Sequence, residues 1–347
     1  MSRTLLVPTR AWRAASFAVL VCSTGMSVRL AQAQSVSPNC STSPAIVGNA
    51  ADICRKAADL FSYIVPQIGV ALAGGNAVLG EGGTLGGWGK RSVSLRVTAV
   101  NGSLPKSAVP ITTGGSSATA DDFGAAFTFV PMASLDAAIG MFEGLPLGLT
   151  NFGGVDVLLG AVQIPRVREG SFNMASAGTS YAISYGARVG LLQESSLVPG
   201  ISISYMRRKV PTLNVQYTPG NDTLNVNNFS LTANALRAVI SKRFLLFGLS
   251  AGVGRDEIRG VTGVNAVVNE TRVNVSTRTA ITFPTFNEAV TRNSVFANAS
   301  FGLFAARVVA EFGRSSAGTL RETLNTFGTH HANEAYSYES LGVTVRF

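Results

Sequence analysis

The chain has 347 residues, of which 46% are apolar and only 14% are charged, whereas soluble domains carry roughly 25% charged residues. The formal net charge is +9, but no basic cluster alternates with aromatic side chains, so we expect no nucleic-acid partner. A helical membrane protein is excluded as well, because no segment after residue 33 has the roughly 20 consecutive apolar residues of a spanning helix. A membrane β-barrel fits better, since apolar and polar residues alternate along its strands.

Residues 1–33 have the three parts of a secretory signal peptide. Arginines come first, a mostly apolar run occupies 14–28, and the cleavage motif Ala-Gln-Ala occupies 31–33. We predict cleavage directly after this motif. Four of the 28 basic residues lie before the cut, which leaves a net charge of about +5 for the mature chain. Arg29 ends the apolar run early, and this argues against a retained membrane anchor.

The segment 34–63 precedes the predicted barrel and contains both cysteines of the mature chain, Cys40 and Cys54. Because export leads to an oxidising compartment, one disulfide between them is the economical interpretation, and two free thiols are the alternative. The apolar residues of 49–63 recur at helical spacing, which predicts one short amphipathic helix. We expect 34–63 to act as a hatch that occupies or covers the inner, periplasmic mouth of a barrel formed by 64–347.

The C-terminal segment 336–347 has the alternation of a spanning strand. Its apolar face carries Leu341, Val343, Val345 and Phe347, and its opposite face is polar. The length matches that of a tilted strand that crosses a bilayer. A terminal aromatic residue on such a strand resembles the C-terminal assembly signal of bacterial outer-membrane barrels. The resemblance implies the barrel-assembly machinery as a partner and Phe347 as part of the signal.

Period-two alternation recurs along the chain and predicts an all-β fold, an antiparallel transmembrane β-barrel of about 12–14 strands with a short N-terminal helical segment. The predicted strands are 64–73, 92–100, 123–130, 134–142, 154–163, 180–191, 199–208, 228–241, 244–256, 292–301, 304–313 and 336–347. A strand pair missed within 101–122 or 257–291 accounts for the upper limit. A soluble β-sandwich is disfavoured because its outer face would carry more charge, and no fixed-length repeat supports a β-helix.

The glycine-rich run 80–89 lies in a long connection, 74–91, which we assign to an extracellular loop. No Gly-Lys-Ser/Thr follows the run, so it is not a phosphate loop. The two histidines, His330 and His331, are adjacent, and adjacent side chains on a strand point to opposite faces, so they are poorly placed to chelate one ion. We therefore expect no metal and no cofactor and, without a nucleophile motif, no enzymatic activity.

Charged residues on the polar faces of the predicted strands are expected to line the barrel interior, because an arginine that faces lipid at the midplane costs about 2–4 kcal/mol. These residues are Arg96, Arg188, Arg208, Arg307, Arg346, Asp136, Asp156 and Glu311. Two interpretations are open at this point. One is a solute path biased toward anions or carboxylates, and the other is a structural network of arginine–carboxylate pairs that fills the barrel.

A signal peptide, a short N-terminal helix and a barrel that ends in Phe347 together resemble the outer-membrane transporters of long-chain fatty acids and aromatic hydrocarbons, the FadL-like family. The resemblance concerns architecture alone. It implies an outer-membrane location, with outer-membrane lipid around the barrel. It also implies passive transport of small hydrophobic or amphipathic molecules past an N-terminal hatch. The alternative is a structural or surface-interaction barrel with a filled lumen and no transport.

Overall fold

The computed structural model describes residues 40, 49–105, 118–164, 166–169, 172–218, 223–272 and 275–347. The predicted signal peptide, 1–33, lies outside the described residues. The helix α1 spans Asn49–Ala73. The strands are, in chain order, β1 (Arg91–Pro105), β2 (Ala125–Phe142), β3 (Leu145–Leu147), β4 (Thr150–Phe152), β5 (Gly154–Gln163), β6 (Val167–Glu169), β7 (Phe172–Ser176), β8 (Tyr181–Leu192), β9 (Gly200–Lys209), β10 (Leu213–Tyr217), β11 (Thr223–Phe244), β12 (Phe247–Arg272), β13 (Val275–Thr282), β14 (Phe286–Leu303), β15 (Ala306–Ser315) and β16 (Tyr336–Arg346). The described part of the chain contains no helix that is both long and apolar enough to cross a bilayer.

Among the described residues, 14 strands form one antiparallel sheet, which confirms the predicted all-β antiparallel barrel, although fewer strands than the predicted 12–14 close into the ring. Ten of these strands close into a ring in the order β1–β2–β5–β8–β9–β11–β12–β14–β15–β16, after which β16 pairs with β1. At this seam Val97 lies opposite Leu341. Arg91 and Phe347 complete the seam with backbone hydrogen bonds of 2.8 and 3.0 Å. The ring therefore has no free edge.

The ring has two rims of different construction. The inner rim carries Phe347, the start of β1 and the short turns of the β11–β12 and β14–β15 hairpins, and the outer rim carries long connections such as 316–335. Between the rims, side chains alternate between the lumen and the outer wall. On β12 the outward residues are Phe247, Leu249, Ala251 and Val253. In the described part of the chain no second sheet packs on this apolar wall, and such a wall is that of a transmembrane barrel.

The wall is much taller on one side than a bilayer requires. β11 and β12 have 22 and 26 residues, whereas a tilted strand crosses a bilayer with about 9–11. β10 and β13 pair with the outer ends of these two strands, and β6 and β7 continue the sheet from β10. The β3–β4 hairpin is separate and lies in the β2–β5 connection at the inner rim. The β11–β14 side of the barrel thus projects beyond the outer rim of its neighbours.

The first predicted strand, 64–73, is wrong, because these residues continue α1 to Ala73 and the wall begins only at Arg91. The helix lies inside the barrel, where most of its faces are covered. A helix that is buried on several sides loses the one-sided apolar pattern by which a surface helix is recognised. The short run of apolar residues in 64–73 therefore resembled a strand.

Two further strand boundaries differ from the prediction. Residues 125–130 and 134–142 of two predicted strands belong to one strand, β2, which begins at Ala125 and passes through Pro131 without a break. β5 pairs with β2 only from Ala133 inward, so Pro131 lies where β2 has no neighbour on that side, and proline is tolerated at such an edge. Most of the predicted connection 257–291 is strand as well. Beyond the membrane the inward face carries buried apolar residues such as Ile258 and Phe286 and the outer face is largely polar, so the apolar-out, polar-in pattern is lost.

Replacing the outward-facing Ala251 by Arg should destabilise the barrel by about 2–4 kcal/mol, because its side chain faces lipid near mid-height of the apolar wall. The matched control is Ala289→Arg on β14, which is also exposed but lies above the apolar wall and should change the free energy of unfolding by less than about 0.5 kcal/mol. Urea unfolding of protein refolded into lipid vesicles measures both. Equal losses in the two variants would contradict this placement of the membrane.

Candidate functional site in the barrel lumen

The lumen is filled by residues 49–90, which we call the plug. Helix α1 forms its outer part, and a coil forms its inner part. Near the outer rim, the backbone N–H of Thr119 donates to the Asp52 carboxylate at 3.0 Å. Further down, Gly69 contacts the side chain of Ile258 on β12. The predicted position of the helix at the inner mouth is therefore wrong, since the chain enters the lumen from the outer rim.

Aromatic and amide contacts fix the depth and rotation of the helix. The ring of Phe61 packs edge-on against Phe229 at a centroid distance of 6.0 Å and lies 6.4 Å from Phe286. On the other side of the lumen, Gln67 Nε2 donates to the carbonyl of Ser103 at 3.0 Å, and its Oε1 accepts the Ser103 N–H at 2.9 Å. The helix is thus held between the β11–β14 side of the wall and the outer end of β1.

The coil of the plug is rich in glycine because it runs close to the wall. Gly83 lies against Gly200, and a Cβ atom on Gly140 would overlap the carbonyl oxygen of Gly87. Gly87 itself has a φ of +95°, a conformation that other residues rarely adopt. The run 80–89, which we assigned to an extracellular loop, is therefore inside the barrel and reaches β1 at the inner rim.

The inner part of the coil is bound by a cluster around Asp156. Arg188 Nη2 lies 2.7 Å from Asp156 Oδ2, and the same carboxylate accepts the backbone N–H of Leu85 at 3.1 Å. Arg346 donates to the carbonyl of Leu85 and lies 3.5 Å from Glu81 of the plug. Wall and plug therefore share one network of charges and backbone groups here.

A second cluster is centred on Asp136. Its Oδ1 pairs with Arg208 Nη1 at 2.6 Å and its Oδ2 with Arg96 Nη2 at 3.1 Å. Arg96 also donates through Nη1 to the carbonyl of Asn76 at 2.8 Å. The two arginines share one carboxylate, and the plug backbone supplies an additional acceptor.

A third set of contacts holds the turn that follows the helix. Glu311 accepts the backbone N–H groups of Gly75 and Asn76 at 3.1 and 2.9 Å. Arg237 donates in return to the carbonyl of Gly75 at 3.0 Å and forms an ion pair with Asp256 at 2.6 Å. Wall side chains therefore bind both N–H and carbonyl groups of this turn, as buried backbone groups require.

The eight residues predicted to line the lumen differ in their burial. Arg307 and Arg346 are half-buried near the inner rim, where Arg307 donates to Ser300 at 3.2 Å, and the other six are buried. The prediction missed Arg237, Asp256 and Arg292, which are equally buried. The alternation of β11 gave a signal for Arg237, since it lies between two outward apolar residues. Asp256 and Arg292 lie where the alternation fades.

Two outer connections, 118–124 and 319–334, form a cap over the helix. The Tyr63 ring stacks on Phe327 at a centroid distance of 3.9 Å, and Asp59 accepts hydrogen bonds from Asn325 at 2.8 and 2.9 Å. Burial raises the pKa of the Asp59 carboxyl, although the Asn325 N–H and Arg55 oppose the shift. The cap thus ties the outer loops to the plug.

The predicted disulfide partners and the histidines also lie at this outer end. Cys40 and Cys54 are bonded to each other, with a Cα–Cα distance of 5.8 Å. His330 Nδ1 lies 3.1 Å from Glu334 Oε1, and His331 is exposed. Within the described residues, no group of three or more His, Cys, Asp or Glu side chains could hold a metal ion.

Among the described residues, two of the open cavities at the outer rim border the helix or the cap. One, of about 450 Å³, lies beside the helix and is lined by Phe61 and Phe286 together with charged residues such as Arg55 and Asp59. The other, of about 530 Å³, lies within the cap around His330. Both face outward, above the network that holds the coil.

Removing the Glu311 carboxylate tests the bond between wall and plug. Glu311→Ala leaves two buried backbone N–H groups without an acceptor and should cost at least about 2 kcal/mol. The control is Glu339→Ala on the neighbouring strand β16, an exposed carboxylate whose loss should not lower stability. Chemical unfolding of the two refolded variants gives the comparison, and a Glu311→Ala variant as stable as wild type would contradict the network.

No family model and no curated protein matches the sequence. Among solved structures, the chain is similar to Neisserial surface protein A, with 11% identity, a TM-score of 0.26 and coverage of 75% of this chain and 99% of the other. It is also similar to the translocator domain of autotransporter NalP from Neisseria meningitidis, with 13% identity, a TM-score of 0.32 and coverage of 75% of this chain and 89% of the other. A third similar structure is that of the Ralstonia pickettii toluene transporter TbuX, with 13% identity, a TM-score of 0.26 and coverage of 80% of this chain and 93% of the other. At these values the likenesses carry no conclusion about this chain beyond the antiparallel barrel that its own strand pairing shows.

Proposed function

We propose that the protein is a closed outer-membrane barrel with a structural or surface-interaction role, whose plug blocks the free diffusion of solutes through the lumen. One observation carries the proposal. The charged side chains that would line a solute path are bonded to the plug, as Glu311, Asp156 and Arg237 illustrate. Displacement of the plug would remove these contacts, so Glu311, Asp156 and Arg237 would each lose a buried hydrogen-bond partner, which is costly.

The apolar wall and the C-terminal Phe347 indicate which partners surround the barrel. The apolar wall fits outer-membrane lipid, and the exposed side chain of Phe347 fits a role in recognition by the barrel-assembly machinery. The projecting ends of β11 and β12 would offer the surface for partners outside the cell. In this proposal the role is non-enzymatic.

Conductance in planar bilayers tests whether the barrel is closed. Wild-type protein should give no stable single-channel current, because the coil fills the lumen at the level of the membrane. A variant that lacks residues 35–88 should give discrete current steps, since the remaining ring would enclose an empty, charged lumen. Glu339→Ala, which leaves the plug contacts intact, should be as closed as wild type.

Two outcomes would contradict the closed barrel. The first is a stable current from the wild-type protein. The second is a deletion variant that is folded, as judged by heat-modifiable electrophoretic migration, and yet does not conduct. If the deletion variant fails to fold, Glu311→Ala replaces it, and transient openings that are absent from wild type are then the expected result.

Passive transport of small hydrophobic or amphipathic molecules is the second candidate. The observation in its favour is the opening of about 450 Å³ beside the helix, which combines Phe61 and Phe286 with charged residues. Such a lining suits an amphipathic solute. Uptake of a labelled hydrophobic solute by cells with and without the gene separates the two candidates. Equal uptake supports the closed barrel, and a loss that the wild-type gene restores supports transport.

A further inference from the structure

Four basic side chains lie close together on the outer wall, on two strands that are separated by β11. β9 contributes Arg207 and Lys209, and β12 contributes Arg255 and Arg259. β11 lies between them, with Asn234 opposite Arg207. Two strand spacings amount to about 10 Å, so the basic groups of β9 and β12 can contact one anionic headgroup together.

The basic groups of this patch are not used elsewhere. Within the described residues, the side chains of Lys209, Arg255 and Arg259 make no ion pair or hydrogen bond, and Nε of Arg207 is buried without a partner. One carboxylate, Glu257, lies on the same face of β12. The patch therefore keeps a net positive charge that nothing in the described protein neutralises.

The patch lies at the upper edge of the apolar wall. Val253 borders it on the side of the inner rim, and Leu236 lies directly opposite Arg255; both are about half exposed. From Phe247 at the inner rim to Arg255, the strand rises about 20 Å along the barrel axis, given about 3.3 Å per residue and a tilt of about 40°. The apolar band of such barrels is about 25 Å tall. Arg255 therefore lies near the headgroups of the outer leaflet, and Arg259 lies above it.

Two tyrosines mark the same level independently. Tyr185 lies directly opposite Arg207 across the β8–β9 pair, and Tyr205 precedes Arg207 by two residues on the same face. Both rings are about half exposed. Aromatic residues form girdles at the membrane interfaces of barrels, so the basic patch lies where lipid headgroups are found.

From this geometry we infer that Arg207, Lys209, Arg255 and Arg259 bind the phosphate of a phosphorylated lipid in the outer leaflet. The guanidinium fork matches phosphate geometry, and the apolar wall below the patch accommodates the acyl chains. This wall distinguishes a lipid from free phosphate as the occupant. The inference rests on the proposed outer-membrane location.

Native mass spectrometry of the purified barrel in a neutral detergent tests the site, with lipid A as the probe and its dephosphorylated form as the comparison. Wild type should retain lipid A and release the phosphate-free form. Arg255→Gln/Arg259→Gln should bind lipid A about tenfold more weakly, since two charge-assisted contacts are lost. The matched control, Arg91→Gln/Arg314→Gln, removes two exposed arginines outside the patch and should stay within about twofold of wild type.

Three results would overturn the inference: equal binding of the phosphate-free form, an equal loss in the control pair, or displacement of the lipid by excess inorganic phosphate. Heat-modifiable migration verifies that each variant is folded. Because the assay uses folded protein in detergent, it measures lipid binding by the patch independently of where the protein lies in the cell. Membrane fractionation tests the location, so a failure of the site and a failure of the proposed location give different results.

Discussion

The pairing of buried charges in the lumen is the constraint on which the rest of the structure depends. Arg188, Arg208 and Arg237 are almost fully buried, and a buried ion costs several kcal/mol unless it is paired and hydrogen-bonded. The wall carboxylates satisfy part of this demand, since Asp136 serves two arginines. Carbonyl groups of the plug satisfy more of it. The coil in turn has no secondary structure, so its backbone groups rely on the wall for partners. Neither wall nor plug is complete without the other.

The same dependence ties the plug to the closure of the ring. The plug leads directly into β1, and β1 pairs with the last strand, β16. The ring is therefore closed by the pairing of β1 with β16, and it encloses the plug. Close glycine contacts, such as that of Gly87 with Gly140, leave no space for a side chain between coil and wall. The plug and the inner half of the wall are thus closely fitted to each other.

Sequence periodicity predicted the parts of the fold that face lipid and failed where lipid is absent. β8 and β9 lie almost as predicted, because apolar-out and polar-in alternation is strict within the membrane. The coil 80–89 was misassigned because a glycine-rich segment has the same composition whether it is a loop in solvent or a coil that must approach a wall closely. The prediction found buried arginines such as Arg188 where the alternation was clear and missed Arg292 where it fades, but it also overlooked Arg237, whose strand does alternate. Which backbone carbonyl an arginine binds depends on contacts between segments far apart in sequence, which a pattern does not encode.

The division of the plug into helix and coil follows from the two environments inside the barrel. Around the helix the lumen is apolar, with Phe229, Ile258 and Phe286 buried against it, and such a wall offers few hydrogen-bond partners. A helix satisfies its own backbone and can therefore occupy this part. Further in, the inward faces of the strands carry serines, arginines and carboxylates, so a coil with unpaired backbone groups finds partners there. The helix ends and the coil begins at Gly74 and Gly75. The carbonyl groups of these two glycines accept the first hydrogen bonds from the wall, which Arg237 donates. The interior of the barrel thus determines where the plug stops being helical.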